Sequence, residues 1–355
     1  MKRMQKHKKL LLIGGSKGNA HLRNFHGLIS DSFESILVVS NSTIDFSACI
    51  TIDFGLKNPI KFWKSVRGLR SIIKEFNPDI IHVHQANSYA LITVLANSTR
   101  IPIVLTTWGS DVLILPNKGF LYRAMVRYVL KKATVITADA SFMAEAIHQL
   151  NEKKEVVIVN FGVEINKNEE IFTRESIIYS NRMHETLYNI DQLILQLKDF
   201  LVKNPKWKLI IAAEGNQTTY LKKIVAEELP ENTIEFVGFL TSEENIRYYK
   251  KAMIYISIPK SDGTSISLLE AMAYGCLPIT SNLPANKEWI THLENGIISN
   301  GNLSKDVETA LTLDLNVIQE KNHVLIDSRA TKEINKRLFA SIYEKLTLDG
   351  QKNKR

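Results

Sequence analysis

Short apolar runs rich in β-branched residues alternate along the chain with longer runs in which apolar residues recur at helical spacing. Continuous apolar strands separated by helices are typical of parallel sheets that are covered on both faces. The pattern therefore predicts an α/β protein with two successive doubly wound, Rossmann-like domains. The predicted strands are Leu10–Gly14, Ile36–Ser40, Cys49–Asp53, Ile80–His84, Ile103–Thr107, Val135–Ala138 and Val156–Val159, then Ile177–Ser180, Leu209–Ala213, Ile234–Val237, Ile254–Ile258, Pro278–Ser281 and Gly296–Ile298.

The domain limits follow from where this alternation stops. The polar stretch Glu164–Glu175 contains no strand pattern and predicts a linker. The predicted domains are therefore residues 1–164 and 165–326. A helical pattern over Asp327–Leu346 has no strand after it, so residues 327–355 are predicted to form a C-terminal helix and tail that pack back on the first domain.

Two predicted helices carry most of the basic charge. In Ile60–Phe76 the apolar stripe consists of Phe62, Val66, Leu69, Ile73 and Phe76, and in Phe120–Lys132 it consists of Leu121, Met125, Tyr128 and Val129. Lysine and arginine line the other faces, and residues 54–74 and 112–138 contain no acid. Residues 1–164 hold 21 basic and 12 acidic residues, a net of +9, whereas the whole chain has +8. This first half is predicted to bind an anionic partner, a membrane surface or nucleic acid.

The location of the protein is predicted from what the chain lacks. The apolar run Leu10–Ile13 after the basic start is too short for a signal peptide, and no run is long enough to span a bilayer. We expect a cytoplasmic protein, peripheral on the inner face of the membrane. Cys49 and Cys276 match no metal or redox spacing, and no Asp-x-Asp turn is present, so neither a metal nor another cofactor is expected.

The segment Ser261–Gly275 carries the most chemical information. It leaves a predicted strand, passes a polar turn that contains glycine, and enters a helix capped by Thr264 or Ser265. Backbone N–H groups at such a helix start form an anion site suited to a pyrophosphate. Asp262 precedes the helix and Glu270 lies about a turn inside it, so both carboxylates can contact one ligand.

This segment resembles the signature of the retaining glycosyltransferases of family 4, which have the GT-B fold of two Rossmann-like domains facing a cleft. In that signature two acids separated by seven residues are followed by Leu-Glu-Ala-Met-Ala and Gly. The resemblance implies that Glu270 binds the donor ribose and that Asp262 contacts the sugar near the reacting carbon. It also implies that the amides of Gly263, Thr264, Ser265 and Ile266 hold the phosphates. Asp262 stands where the family usually has Glu.

Other positions in the second half extend the resemblance. Gly238 and Phe239 resemble the loop that touches the nucleotide base, and Arg182 resembles the arginine that binds the donor pyrophosphate. Many members carry a lysine about five residues further on, where this chain has Leu187.

In the first half, the resemblance assigns the turn Gly14-Gly15-Ser16 to the donor, through Gly15, and to the acceptor side. His84, at the end of a strand, is a catalytic candidate. Because the two side chains are expected on opposite faces of the strand, His82 and His84 are not predicted to form a metal site. After the next strand come Trp108, where the family often has a catalytic histidine, and then Ser110 and Asp111. Trp108 and Ser110 are predicted on the acceptor side, and Asp111 is a candidate base or hydroxyl ligand.

Together these features predict a retaining glycosyltransferase. It would move a sugar from a nucleotide diphosphate sugar, with a UDP-sugar expected first, to a hydroxyl of a lipid-linked or cell-surface glycan. No nucleic acid is expected, because no recognised binding module is present. Three alternatives stay open: an epimerase of nucleotide sugars on the same fold, a non-catalytic binder of sugar nucleotides, and a nucleic-acid binder.

Overall fold

A computed structural model describes residues 7–15, 20–46, 48–151, 154–165 and 173–352. Contacts between Cα atoms divide these residues into two compact units. The first comprises the described residues up to Phe161 together with those from Lys332 onwards, and the second comprises those between Gly162 and Thr331.

The first unit is built on a seven-stranded sheet in which every pairing is parallel. Its strand order is β3-β2-β1-β4-β5-β6-β7, so the direction of winding reverses between β1 and β4. The strands are β1 His7–Ile13, β2 Phe33–Ser40, β3 Cys49–Thr51, β4 Ile80–His84, β5 Ile103–Thr106, β6 Val135–Ala138 and β7 Val156–Ile158. The helices are α1 Ala20–Ile29, α2 Pro59–Phe76, α3 Ser88–Ala96, α4 Phe120–Lys132, α5 Ser141–Leu150 and, from the end of the chain, α13 Lys332–Lys352.

Alternate residues of the strands supply two apolar cores, one on each face of this sheet. Leu11 and Ile13 of β1 pack with α2, α3, α4 and α5, whereas Leu10 and Leu12 pack with α1 and α13. Phe339 and Tyr343 place α13 in the second of these cores, and the Tyr343 hydroxyl lies 2.8 Å from Nδ1 of His82.

The second unit repeats the same plan with six parallel strands in the order β10-β9-β8-β11-β12-β13. Here the winding reverses between β8 and β11. The strands are β8 Glu175–Ser180, β9 Lys208–Ala212, β10 Ile234–Gly238, β11 Ala252–Ser257, β12 Leu277–Ser281 and β13 Ile297–Ser299. The helices are α6 Ile190–Lys203, α7 Thr218–Glu228, α8 Ser242–Lys251, α9 Ile266–Ala273, α10 Pro284–Lys287, α11 Leu303–Ala310 and α12 Leu315–Arg329.

The predicted fold class, two doubly wound parallel sheets, is confirmed, and each predicted strand coincides with a strand of the structure apart from shifts at its ends. The helical pattern over Asp327–Leu346 is wrong as a single element. It contains the end of α12 and most of α13, because Thr331 leaves the helix to bridge with Val163. The central part of the predicted linker, residues 166–172, lies outside the described residues.

The predicted apolar stripe of α4 is also wrong in part. Val126, Val129 and Leu130 are buried, whereas the side chains of Leu121 and Tyr128 are 80% and 38% exposed. The buried residues follow the i, i+3, i+4 spacing of one helical face, and the first turn of the helix lies beyond the core. Apolar side chains therefore remain exposed at the start of α4.

Candidate functional site

The best candidate for a ligand site lies at the point of the second sheet where the winding reverses. β8 and β11 are neighbours there, and in parallel sheets ligands bind beyond the carboxyl ends of such strands. The loop after β8 supplies Arg182, and the loop after β11 leads through Asp262 into α9. The resemblance singled out these same two loops.

The start of α9 has the geometry of a capped helix. Ser265 is the N-cap residue, and its side chain accepts a hydrogen bond from the Leu268 amide at 3.4 Å. Of the two predicted caps, the structure therefore uses Ser265. The first amides of α9 point out of the helix toward the turn, where a helix terminus favours an anion.

Arg182 is the buried cation of this site. Its Nη2 lies 2.7 Å from Oδ2 of Asp262, and its Nη1 donates to the hydroxyls of Ser265 and Ser267. The guanidinium also lies over the Tyr188 ring, 4.5 Å from its centroid. Burial by itself lowers the pKa of Arg182, but the Asp262 carboxylate, together with Tyr255 and Tyr188, raises it overall. Arg182 is thus a fixed positive charge beside the start of α9.

Asp262 completes this ion pair from the other loop. Burial raises the pKa of its carboxyl group, while the Arg182 guanidinium and the Gly263 amide oppose that shift. A half-buried carboxylate beside a buried guanidinium is held in one position by the pair. The two residues, 80 positions apart in sequence, are brought into contact only by the fold.

Glu270 lies on α9 and is held by a network that sequence reasoning did not find. The buried Tyr249 hydroxyl donates to Oε2 of Glu270 at 3.1 Å, and the Asn181 amide donates to the same hydroxyl at 2.7 Å. The Tyr255 hydroxyl in turn donates to the Asn181 carbonyl at 3.1 Å. From the sequence alone, Tyr249 and Tyr255 cannot be distinguished from aromatic residues of the core, because nothing in the spacing indicates where their hydroxyls point.

The predicted base-contacting loop lies at the end of β10. Gly238 has a φ of +69° and its carbonyl accepts from the Ala213 amide at 2.7 Å, while the Phe239 side chain is largely exposed. At the position of the missing lysine, the Leu187 carbonyl accepts from the Lys260 amide at 2.9 Å. The Lys260 backbone is thereby fixed next to that position.

In the first unit, the turn after β1 lies against the ends of β2 and β4. A Cβ atom added to Gly14 would lie 3.0 Å from Cβ of His84, and one added to Gly15 would lie 2.2 Å from Oδ1 of Asn41. Only glycine fits this close approach without displacing its neighbours. Ser16 lies outside the described residues.

The prediction that His82 and His84 lie on opposite faces of β4 is wrong. Residues two apart on a strand share a face, and the two ring centroids are 5.1 Å apart, both against Phe25. Each ring has a different partner: Nε2 of His82 lies 2.7 Å from the Thr106 hydroxyl, and Nδ1 of His84 accepts from the Trp108 indole N–H at 3.0 Å. Among the described residues, no group of histidine, cysteine, aspartate or glutamate is placed to hold a metal ion.

Trp108 therefore determines the tautomer of His84. Because Nδ1 accepts a hydrogen bond, the proton of the neutral ring lies on Nε2, which is buried and has no partner among the described residues. Burial, followed by the charge of His21, lowers the pKa of His84 to about 3. The low pKa keeps the His84 ring neutral at physiological pH and favours a hydrogen-bonding role over that of a general base.

We expect the two histidines to make the protein acid-sensitive. Their folded pKa values lie below the ordinary 6.5, so the unfolded chain takes up protons first and stability is lost as the pH falls from about 6.5 toward 3. Each histidine contributes at most about 1.4 kcal/mol per pH unit. Urea unfolding of wild type at pH 7 and pH 5 measures this loss. The variant His84→Gln is expected to lose less stability between pH 7 and pH 5 than wild type. The control His323→Gln, on an exposed face of α12, should lose as much as wild type. An equal loss in all three proteins would contradict the role of His84 in acid sensitivity.

Asp111 forms hydrogen bonds to the loops that follow β4 and β5. Its Oδ2 accepts from the Ala86 amide at 2.6 Å and its Oδ1 from the Trp108 amide at 3.0 Å, and the side chain is buried. Burial raises its pKa, and the surrounding backbone amides oppose that shift. This geometry favours a positioning role over that of a base. Trp108 is half-buried, and Ser110 is exposed at the start of a single π turn.

Two family models match the chain in succession. The model described as Glycosyl transferases group 1 matches residues 162–328, and the model described as Glycosyl transferase 4-like matches residues 28–140. The first match contains Arg182, Asp262 and Glu270, and the second contains His84, Trp108 and Asp111.

Individual relatives agree with these matches. An α-monoglucosyldiacylglycerol synthase of Streptococcus pneumoniae is 24% identical over 237 residues, which cover 60% of this chain and 54% of that protein. A GDP-mannose:cellobiosyl-diphosphopolyprenol α-mannosyltransferase of Xanthomonas campestris is 25% identical over 148 residues, 40% of this chain and 39% of that protein. The chain thus matches only about half, or less, of the length of these relatives.

Among solved structures, HepE of Anabaena in complex with UDP superposes with a TM-score of 0.79 at 14% identity, covering 95% of this chain and all of that one. The same protein has also been solved with UDP-glucose. At this identity the likeness establishes the fold. With two parallel α/β units and both family models matched in order, the chain belongs to the group 1 glycosyltransferases of the GT-B fold.

Proposed function

We propose that this glycosyltransferase moves a sugar from a nucleoside diphosphate sugar to a hydroxyl of a lipid-linked or cell-surface glycan, with retention of the anomeric configuration. The observation that carries the proposal is the Arg182–Asp262 ion pair at the capped start of α9. It combines a buried cation, outward-facing amides and a sugar-binding carboxylate at one end of the sheet. Glu270 adds a second, firmly held carboxylate for the ribose.

The proposed reaction exchanges one bond for another at the anomeric carbon. The bond between that carbon and the diphosphate oxygen breaks, and its electron pair leaves with the diphosphate. The acceptor hydroxyl oxygen bonds to the same carbon from the same face and gives its proton to the departing diphosphate. Arg182 and the α9 amides stabilise the charge that develops on the leaving group, which is the largest catalytic contribution in such sites.

The donor is proposed to be a UDP-sugar, with a GDP-sugar as the competing choice. HepE, of similar fold, binds UDP and UDP-glucose, whereas the Xanthomonas relative is named for GDP-mannose. In the chain itself, the base would contact the end of β10, where the Gly238 backbone offers no side chain to select it. No metal is proposed to take part, because the cation at the site is Arg182.

Thermal unfolding with UDP, GDP, ADP, CDP and NAD, each at millimolar concentration, tests the donor site. A ligand at about 100 times its Kd adds about 2.7 kcal/mol of stability, which is easily measured. We expect one nucleoside diphosphate to stabilise the chain more than the others. Its sugar nucleotides, incubated with the protein and a membrane extract, should then label a lipid-soluble product. Interconversion of the free sugar nucleotide without a product would indicate the epimerase, and stabilisation without any turnover would indicate a binder.

The acceptor is proposed to reach the protein from an anionic membrane. Two helices of the first unit expose apolar side chains near their starts: Ile60 (82% exposed) and Trp63 (51%) on α2, and Phe120 (83%) and Leu121 (80%) on α4. Both helices follow parallel strands and pack on the same face of the sheet, in one core, on either side of α3. Their starts therefore lie toward the same edge of the sheet.

Basic side chains surround these apolar groups. The exposed cations are Lys57, Lys61, Lys64 and Arg67 near the start of α2, and Arg123, Arg127 and Lys131 along α4. Exposed apolar side chains bordered by cations suit a surface of anionic lipid. The apolar side chains insert among the lipids, and the cations contact the anionic headgroups. Among the described residues no helix is both long and apolar enough to cross a bilayer.

Flotation with vesicles tests this membrane surface. Wild type is expected to float with vesicles of phosphatidylglycerol and phosphatidylcholine at low salt, and much less at high salt or with phosphatidylcholine alone. Phe120→Asp/Leu121→Asp should abolish flotation, because it places charge where apolar groups insert. Val324→Asp, at an exposed apolar side chain of α12, is the matched control and should float as wild type. Wild type that stays unbound at low salt would overturn the proposal.

A further inference from the structure

A polar cavity of the first unit has no role so far. It has a volume of about 470 Å³ and lies where β2 and β3 end and α3 begins. Cavities of roughly 300–1,000 Å³ are typical of small-molecule sites. The lining residues whose polar groups or rings could contact a ligand are Asn41, Thr51, Asp53, Phe54, Ser88 and Tyr89.

The chemistry of this lining suits a neutral polyol. Hydroxyls of Thr51, Ser88 and Tyr89 can donate and accept, and Asp53 adds a carboxylate that accepts only. The rings of Phe54 and Tyr89 pack against each other with centroids 4.5 Å apart, which gives the cavity an apolar wall. No lysine or arginine lines it, and the negative charge of Asp53 repels phosphate. A sugar ring, with hydroxyls at its edge and C–H groups on its faces, matches all three properties.

The cavity lies directly beside the glycine turn after β1. A Cβ atom on Gly15 would lie 2.2 Å from Oδ1 of Asn41 and 3.2 Å from the Tyr89 hydroxyl, so Gly15 packs against two residues that line the cavity. On the other side of the same turn, Gly14 packs against His84. The two glycines of this turn therefore connect residues that line the cavity with His84 at the end of β4.

We infer that this cavity binds a glycosyl unit of the acceptor, with Asp53 accepting hydrogen bonds from its hydroxyls. The inference rests on the proposed function, because it names the residues that hold the glycan to which the sugar is transferred. It places acceptor recognition on the β2–β3 side of the sheet, outside the residues that the family resemblance singles out. The acceptor bound there is a sugar and not only a lipid headgroup.

Asp53→Asn is the most informative variant, because it is expected to change binding of the sugar without changing the fold. Oδ1 of Asp53 accepts from the Gly55 amide at 2.8 Å, and the Asn side chain keeps that acceptor. The second oxygen becomes an NH₂ group that cannot accept from a sugar hydroxyl. Asp45→Asn, at an exposed carboxylate in the loop between β2 and β3, is the matched control. Gly15→Ala is a second variant that narrows the cavity.

Saturation-transfer NMR of the full chain measures binding of a panel of probes, the octyl α- and β-glycosides of glucose, galactose and mannose below their micelle concentrations. Wild type is expected to bind at least one of them through its ring protons. Asp53→Asn and Gly15→Ala should weaken that binding about tenfold or more, since a hydrogen bond to a charged group is lost or the space is reduced. Asp45→Asn should bind as wild type.

Two results would overturn the inference: no glycoside of the panel binds to wild type, or Asp53→Asn binds with unchanged affinity. The nucleotide-induced thermal shift is measured on wild type, Asp53→Asn and Asp45→Asn, and should be the same in all three. If that shift is absent in wild type as well, the proposed donor site fails, whereas its presence without glycoside binding overturns the acceptor cavity alone.

Discussion

Replacing Arg182 by alanine is expected to lower kcat by about 10²–10³, with a smaller change in the KM for the donor. The guanidinium is a fixed cation beside the start of α9, and its charge acts most strongly on the diphosphate as that group leaves. Removing the charge therefore costs more in the transition state than in the ground state. Initial rates of sugar transfer at varied donor concentration measure the two parameters.

The same variant leaves Asp262 as a half-buried carboxylate without its cation, which costs up to about 3 kcal/mol of stability, the lower end of the range for a fully buried pair. Lost folding and lost catalysis must therefore be separated. The double variant Arg182→Ala/Asp262→Asn removes the unpaired charge and is expected to regain much of the stability but none of the activity. Arg247→Ala, at an exposed arginine of α8, should match wild type in both. Activity that returns with stability in the double variant would show that Arg182 only supports the fold.

Replacing Glu270 by alanine is expected to abolish the thermal shift that a nucleoside diphosphate produces in wild type. A carboxylate that accepts from both ribose hydroxyls contributes charge-assisted hydrogen bonds of about 1.5–3 kcal/mol each, enough to weaken binding 10²-fold or more. Tyr249→Phe keeps the carboxylate but removes the hydroxyl that donates to it at 3.1 Å. We expect this variant to weaken nucleotide binding about tenfold, as a positioning residue would.

The control for this series is Glu308→Ala, which removes an exposed carboxylate of the second unit from α11. It should retain the full nucleotide-induced shift. Tyr249→Phe also separates two roles of the tyrosine. A structural role would lower the melting temperature without ligand and leave the shift intact, whereas a positioning role reduces the shift itself. A full shift in Glu270→Ala would rule out the ribose contact.

The sequence predicted the architecture because strands buried on both faces need continuous apolar runs. Central strands such as β1, β5, β9 and β11 carry such runs, whereas the edge strands β3 and β10 carry shorter or interrupted ones. The two sheets follow from the order of the strands along the chain. The local geometry of Ser261–Gly275 could be predicted equally well, since Asp262, the cap at Ser265 and Glu270 are close in sequence and their spacing is fixed by one turn and one helix. Local contacts of this kind follow from the sequence itself.

Contacts between distant segments could not be predicted in the same way. The ion pair of Arg182 with Asp262, the hydroxyl of Tyr249 on Glu270 and the indole of Trp108 on His84 all join residues more than 20 positions apart. The cavity at Asp53 likewise needs β2, β3 and α3 to meet. Which apolar side chains of α4 remain exposed depended on how far the helix extends past its sheet.

The sequence by itself thus determined the fold class, the family and the local placement of Asp262 and Glu270 on one turn and one helix. The tertiary structure alone determined the tautomer of His84, the partners of Arg182 and Glu270, and the position of the cavity at Asp53. The physical reason is that apolar periodicity encodes which face of an element is buried, whereas the partner of a polar group depends on which elements the fold brings together.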